Sequence, residues 1–113
     1  MDRVMLSIAN DYTKTPGARH RKNGDFSGEE FRETKLIPAF EKALEEGKKL
    51  FVDLDGCYGF LISFIDEAFG GLAEKFGKDV VSKTLELKCN DEDSLIIEAN
   101  TAIDEWDKKR GKS

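Results

Sequence analysis

The order in which strand-like and helix-like stretches alternate constrains the fold of this chain more than any single motif. Residues 3–9, RVMLSIA, place Val4, Leu6 and Ile8 on one side of an extended segment. Residues 49–55, KLFVDLD, form a short apolar run of the kind buried on both faces of a sheet. Residues 84–89, TLELKC, alternate Leu85, Leu87 and Cys89 with Glu86 and Lys88. Helical spacing fills the intervals. Phe31, Leu36, Phe40, Ala43 and Leu44 repeat through 31–46, Ile65, Phe69, Leu72 and Phe76 through 63–76, and Leu95, Ala99, Ala102, Ile103 and Trp106 through 94–109. Strand, helix, strand, helix, strand, helix predicts an α/β domain with a mixed, mostly parallel sheet of about four strands and three or four helices. The 113 residues suffice for a single domain over 1–113 with one core.

Local signals place the boundaries. Ser27, with Glu30 three residues on, has capping-box spacing and opens the first long helix. Pro38 is expected to kink or divide that helix, and Gly47 to end it. Asp93 or Ser94 caps the last helix. The stretch from about 10 to 26 is polar and rich in turn residues, so it reads as a flexible loop with room for a short hairpin strand. The tail from about 108 to 113 reads as a frayed helix end.

Composition narrows the function classes. The net charge of −5 argues against nucleic acid and anionic membranes as partners, and no apolar run approaches spanning length. Without a signal-peptide pattern, a cytoplasmic location is expected. Cys57 and Cys89 lie in no CxxC pair and are expected to act as small buried hydrophobes.

Three constellations could carry chemistry. Asp53 and Asp55 end the central strand, where α/β folds gather ligands, so a Mg²⁺- or phosphate-binding, hydrolase-like site is the alternative reading. The plainer reading is a strand end followed by an Asp55-Gly56 turn. No other metal site is expected, and no cofactor. Arg19, Arg21 and Lys22 precede Gly28 at a helix N-terminus, an arrangement suited to an anion. His20 lies among them without a Cys or Ser partner and is a poor catalytic base. Ser63 lacks a nearby histidine and a G-x-S-x-G elbow, so it reads first as a helix cap accepting from the amide of Asp66. Asp66 and Glu67 then occupy the first helical turn, where the dipole favours acids.

The segment LFVDLDGCYGFLISFIDEAFGGL, preceded by SGEEFRETKLIPAF, resembles STAS-like bacterial domains of the DUF4325-like kind, which carry a Ser-Phe-(Leu/Ile)-Asp-Glu-Ala-Phe-Gly-Gly-Leu signature. These resemble anti-sigma factor antagonists, in which a Ser at a helix start is phosphorylated by a histidine-kinase-like ATPase. Asp53 matches the acid late in the central strand and Ser63 the second hydroxyl. Ile62 stands where the phosphorylated Ser would be, and Leu61 where its Asp would be. The resemblance implies a non-catalytic regulatory module for protein–protein interaction in signal transduction. Its partner would be a regulator or an ATPase-type kinase, its contact and switch candidates Ser63, Asp66, Glu67 and Asp55. A homodimer is the competing assembly.

Overall fold

Each strand-like run becomes a strand, and each is followed by helix. The computed structural model describes residues 3–110. In chain order the elements are β1 (Arg3–Ser7), α1 (Ile8–Asp11), α2 (28–46), β2 (Lys49–Asp53), α3 (62–76), α4 (Lys78–Thr84), β3 (Leu85–Lys88) and α5 (Ser94–Arg110). The strands lie in the order β1-β2-β3, all parallel, with Leu6 beside Val52 and Val52 beside Leu87. Among the described residues the sheet therefore has three strands rather than about four, and no antiparallel pair. The loop expected to hide a hairpin strand contains no strand, only the end of α1 and a 3₁₀ turn, Arg21–Asn23.

One face of the sheet carries Leu6, Leu50 and Val52 against the helices, and the buried rings of Phe31, Phe40, Phe64 and Phe69 fill the core between them. The opposite face is open: Met5 is 63% exposed, and Arg3 lies 5.0 Å over the Phe51 ring on its way to Glu86, 3.1 Å away. Cys89 is buried and Cys57 half-buried, both as free thiols. Burial pushes the Cys57 thiol up to about 11, with Cys89 and nearby acids adding to the rise, so it behaves as a small hydrophobe.

Pro38 does not break α2. The turn ahead of it, Arg32–Leu36, widens into a π-helix, with the Ile37 amide bonded to the Arg32 carbonyl five residues back. The widened turn makes room for the proline ring, which would otherwise crowd the carbonyl of Thr34. It also resets the helical register: Phe31 and Leu36, five apart, are both buried, while Leu44 ends 40% exposed. α4 lies in a stretch with no helical pattern, its Val80, Val81 and Thr84 being β-branched. α5 keeps its form to Arg110, whose Nε donates to the Glu74 carbonyl at 3.0 Å; residues 111–113 of the expected frayed tail lie outside the described residues.

Two serines show which helix starts rest on a side chain. Ser27, fully buried, caps α2 by accepting from the Glu30 amide at 3.0 Å. Ser63 does not cap α3. The cap residue is Leu61, which has no side-chain acceptor, and the Asp66 amide donates to backbone carbonyls of Ile62 and Ser63. The apolar run before Ser63 enters the helix two residues early because Phe64 and Ile65 must both reach the core. Replacing Ser27 with Ala is expected to cost about 1 kcal/mol of unfolding free energy in a urea melt. Ser63→Ala is expected to stay within about 0.5 kcal/mol.

Candidate functional site

The acids expected at an exposed contact face turn inward. α3 widens at Asp66–Gly70 into a second π-turn packed near the first. There the buried Glu67, 6% exposed, meets Arg32 Nη1 through Oε2 at 2.7 Å and Arg19 Nη1 through Oε1 at 3.3 Å. The same Arg32 nitrogen donates to the Glu67 carbonyl at 2.8 Å. Asp66 takes Arg19 Nη1 at 2.6 Å on one oxygen and accepts from the Trp106 indole at 3.2 Å on the other. Glu67 is thereby corrected from a contact candidate to an internal tie, since an ionised carboxylate taken out of water needs partners.

The two glycines that follow complete the sockets. A Cβ on Gly70 would strike the Trp106 indole, and one on Gly71 would strike the Arg32 guanidinium. Asp66 and Gly70, four apart on one helix face, thus seat Trp106. Glu67 and Gly71, also four apart, seat Arg32. Trp106 entered the sequence reading only as the end of an apolar stripe; the i, i+4 acid–glycine pairs were the available signal for its role.

The basic loop is committed to the fold as well. The Gly28 amide donates to the Ala18 carbonyl at 2.9 Å, the Glu29 amide to the Arg19 carbonyl at 3.0 Å, and the Glu30 amide to Ser27. The helix N-terminus expected to hold an anion is therefore filled by the loop's own backbone, which corrects that reading at Gly28. Arg19 is corrected likewise, being held by Asp66 and Glu67. Arg21 reaches Glu33 at 2.8 Å on the surface, and Lys22 is exposed beside it. The loop expected to be flexible is tied down further by Tyr12, whose hydroxyl donates to the Ser27 carbonyl, and by the Gly17 amide, which donates to Phe26.

Asp53 and Asp55 close the end of the sheet. Asp53 accepts from the Asp55 amide at 2.9 Å, making the turn. Asp55 Oδ1 accepts from the amides of Asn90 and Asp91 at 2.7 and 2.9 Å, and Oδ2 lies 3.3 Å from Lys88 Nζ. The Gly56 amide returns the contact to Asp91 at 3.1 Å. Among the described residues, no group of three or more His, Cys, Asp or Glu is arranged to hold a metal ion. Asp53 closes its own turn, and Asp55 holds the loop after β3.

Beyond that clamp the surface changes character. Tyr58 is 84% exposed, Leu61 54% and Ile62 61%. Behind them a cavity of about 180 Å³ is lined by Leu54, Cys57, Phe60, Cys89 and Leu95, with Asp91 and Glu92 at its rim. Ser63, half-buried, stands at the edge of this apolar run.

The parallel α/β layer with this helix signature defines the class: a small STAS-like domain. A family model described as a STAS-like domain of unknown function (DUF4325) matches residues 27–95, more than half of the chain, and the chain belongs to that family. No curated protein and no solved structure matches it. Within the described residues no helix is long and apolar enough to cross a membrane.

Two outcomes follow from this geometry. Gly70→Ala is expected to displace Trp106 and red-shift its fluorescence, whereas Gly71→Ala leaves the emission unchanged; each costs about 1–3 kcal/mol in a denaturant melt. The amide of Asp91, then that of Asn90, with Lys88, holds the Asp55 carboxyl below its ordinary value of 3.8. A carboxyl with a depressed folded pKa adds stability that is present above the ordinary range and lost as pH falls through the folded value. Acid unfolding followed below about pH 4 is expected to lose one increment of its slope in Asp55→Asn.

Proposed function

We propose that this STAS-like domain is a non-catalytic regulatory module that binds a partner protein through the segment from Asp55 to Ser63. The observation that carries this reading is the exposure of Tyr58, Leu61 and Ile62 within five residues, ahead of a helix whose next turn is buried. Large side chains scattered singly on a surface need no explanation, but an adjacent aromatic and two aliphatics beside a cavity fit a contact site. Two glycines with positive φ, Gly56 at 93° and Gly59 at 159°, let the loop turn outward to present them.

The partner class follows from the family resemblance: a regulator or a histidine-kinase-like ATPase, met in the cytoplasm. Asp55 supports the face by fixing its loop, and Asp66 supports it from beneath. Ser63 is the hydroxyl available for modification. A phosphate there would sit at the start of α3, where the helix dipole favours negative charge, and against the apolar contact residues, where it would oppose docking. Arg19 offsets the charge of Asp66, one turn away.

The alternative of a Mg²⁺- or phosphate-dependent hydrolase is not carried forward, because both of its carboxylates are engaged by backbone amides and Lys88. Replacing Tyr58, Leu61 and Ile62 with Ser together is expected to leave the fold intact, each change falling within about 0.5 kcal/mol. The same variant is expected to lose the partner captured by the wild-type chain from its host extract. Retention of that partner at wild-type yield by the folded variant contradicts the assignment.

A further inference from the structure

We propose that the free edge of β3 pairs with β3 of a second copy, antiparallel about Leu87, to make one continuous six-stranded sheet. This interface does not depend on the Asp55–Ser63 reading, although it borders that face through Lys88, which meets Asp55 at 3.3 Å, and Cys89, which lines the cavity behind it.

The backbone settles which groups face outward. Lys88 accepts through its carbonyl from the Leu54 amide at 2.8 Å, so the peptide groups of Lys88, and of Glu86 two residues earlier, point toward β2. Those of Leu87 and Cys89 point the other way, toward the open edge. The Leu85 amide is already used, donating to the Val81 carbonyl at the end of α4. What the edge offers is therefore the amide and carbonyl of Leu87, the carbonyl of Leu85 and the amide of Cys89. An antiparallel copy centred on Leu87 uses all four: the two Leu87 residues exchange a pair of bonds, and each Cys89 amide donates to the opposite Leu85 carbonyl.

Charge selects this register over its neighbour. On the solvent face, pairing about Leu87 sets Glu86 of one copy opposite Lys88 of the other, twice, at the closer non-hydrogen-bonded positions. A shift that keeps the same residues facing the core centres the pair on Glu86 instead, and two carboxylates then oppose each other. An odd shift would bring apolar and charged faces together. On the inner face the apolar side chains also match. Leu85 and Leu87 are only half-buried, and beside them a hollow of about 180 Å³ is lined by Val81, Ile96 and Ile103. Leu87 of the second copy would stand at its mouth. An unpaired edge of this kind is a template for another strand, and β3 carries neither a proline nor a bulge to block one.

Hydrogen exchange on the wild-type protein tests the pairing residue by residue. At roughly 1 mM, the amides of Leu87 and Cys89 are expected to exchange at least about tenfold more slowly than at roughly 10 μM. Those of Glu86 and Lys88, already bonded toward β2, should be protected equally at both concentrations. Sedimentation should show a dimer at the higher concentration, weakened about tenfold by Glu86→Lys, which sets like charges opposite each other. Concentration-independent exchange at Leu87 overturns the proposal, whether the protein is then a monomer or a dimer joined elsewhere, such as at β1. A folded Glu86→Lys variant that associates as strongly as the wild type overturns the register.

Discussion

The carboxylate of Glu67 is the constraint on which the rest of the structure depends. It lies on α3 with 6% exposure, and its partners come from two other places: Arg32 from the widened turn of α2, and Arg19 from the loop before it. A buried charge with one partner removed typically costs 3–5 kcal/mol, so each of these segments is held to the position that satisfies Glu67. The neighbouring Asp66 extends the tie to α5 through Trp106 and shares Arg19. Two adjacent acids thereby join both long crossover helices, the N-terminal loop and the C-terminal helix.

This arrangement explains the helix signature by packing and charge. Asp and Gly four residues apart make a socket for an indole, and Glu and Gly, shifted by one, make a socket for a guanidinium. The π-turn at Asp66–Gly70 leaves the Glu67 carbonyl within reach of the same arginine. A helix so occupied has little left to offer a partner. The proposed contact segment lies just before it, where Tyr58, Leu61 and Ile62 stand out from a loop that Asp55 pins from behind.

Much of this was legible in the sequence, and the failures have physical causes. Period-two alternation located β1 and β3, and a short apolar run located β2, although only one face of that run, Leu50 and Val52, is core rather than both. The spacing of Ser27 and Glu30 located a helix start that the structure bears out. Ser63 offered the same kind of signal and misled, since burial of Phe64 and Ile65 drew the helix start back to Ile62. Helix α4 was missed because Val80, Val81 and Thr84 suggest strand, and only packing of Val81 against the core decides otherwise. Pro38 reads as a kink or a division of the helix, because a π-turn that absorbs it leaves no mark in composition. The partnership of Arg19 with Asp66 spans 47 residues, and no local pattern encodes it. That one contact turns an apparent anion site and an apparent acidic contact face into two halves of an internal bridge.

The account stands most directly on a double-mutant cycle between Arg32 and Glu67. Unfolding free energies of Arg32→Met, Glu67→Gln and the double variant would be measured in urea, with Trp106 fluorescence as the probe. If the pair is the buried tie described, the two substitutions are strongly non-additive, with a coupling of about 2 kcal/mol or more. The double variant is then less destabilised than the sum of the two single ones. Additivity within about 0.5 kcal/mol would contradict it, and would return Glu67 to the exposed face that the sequence alone suggested.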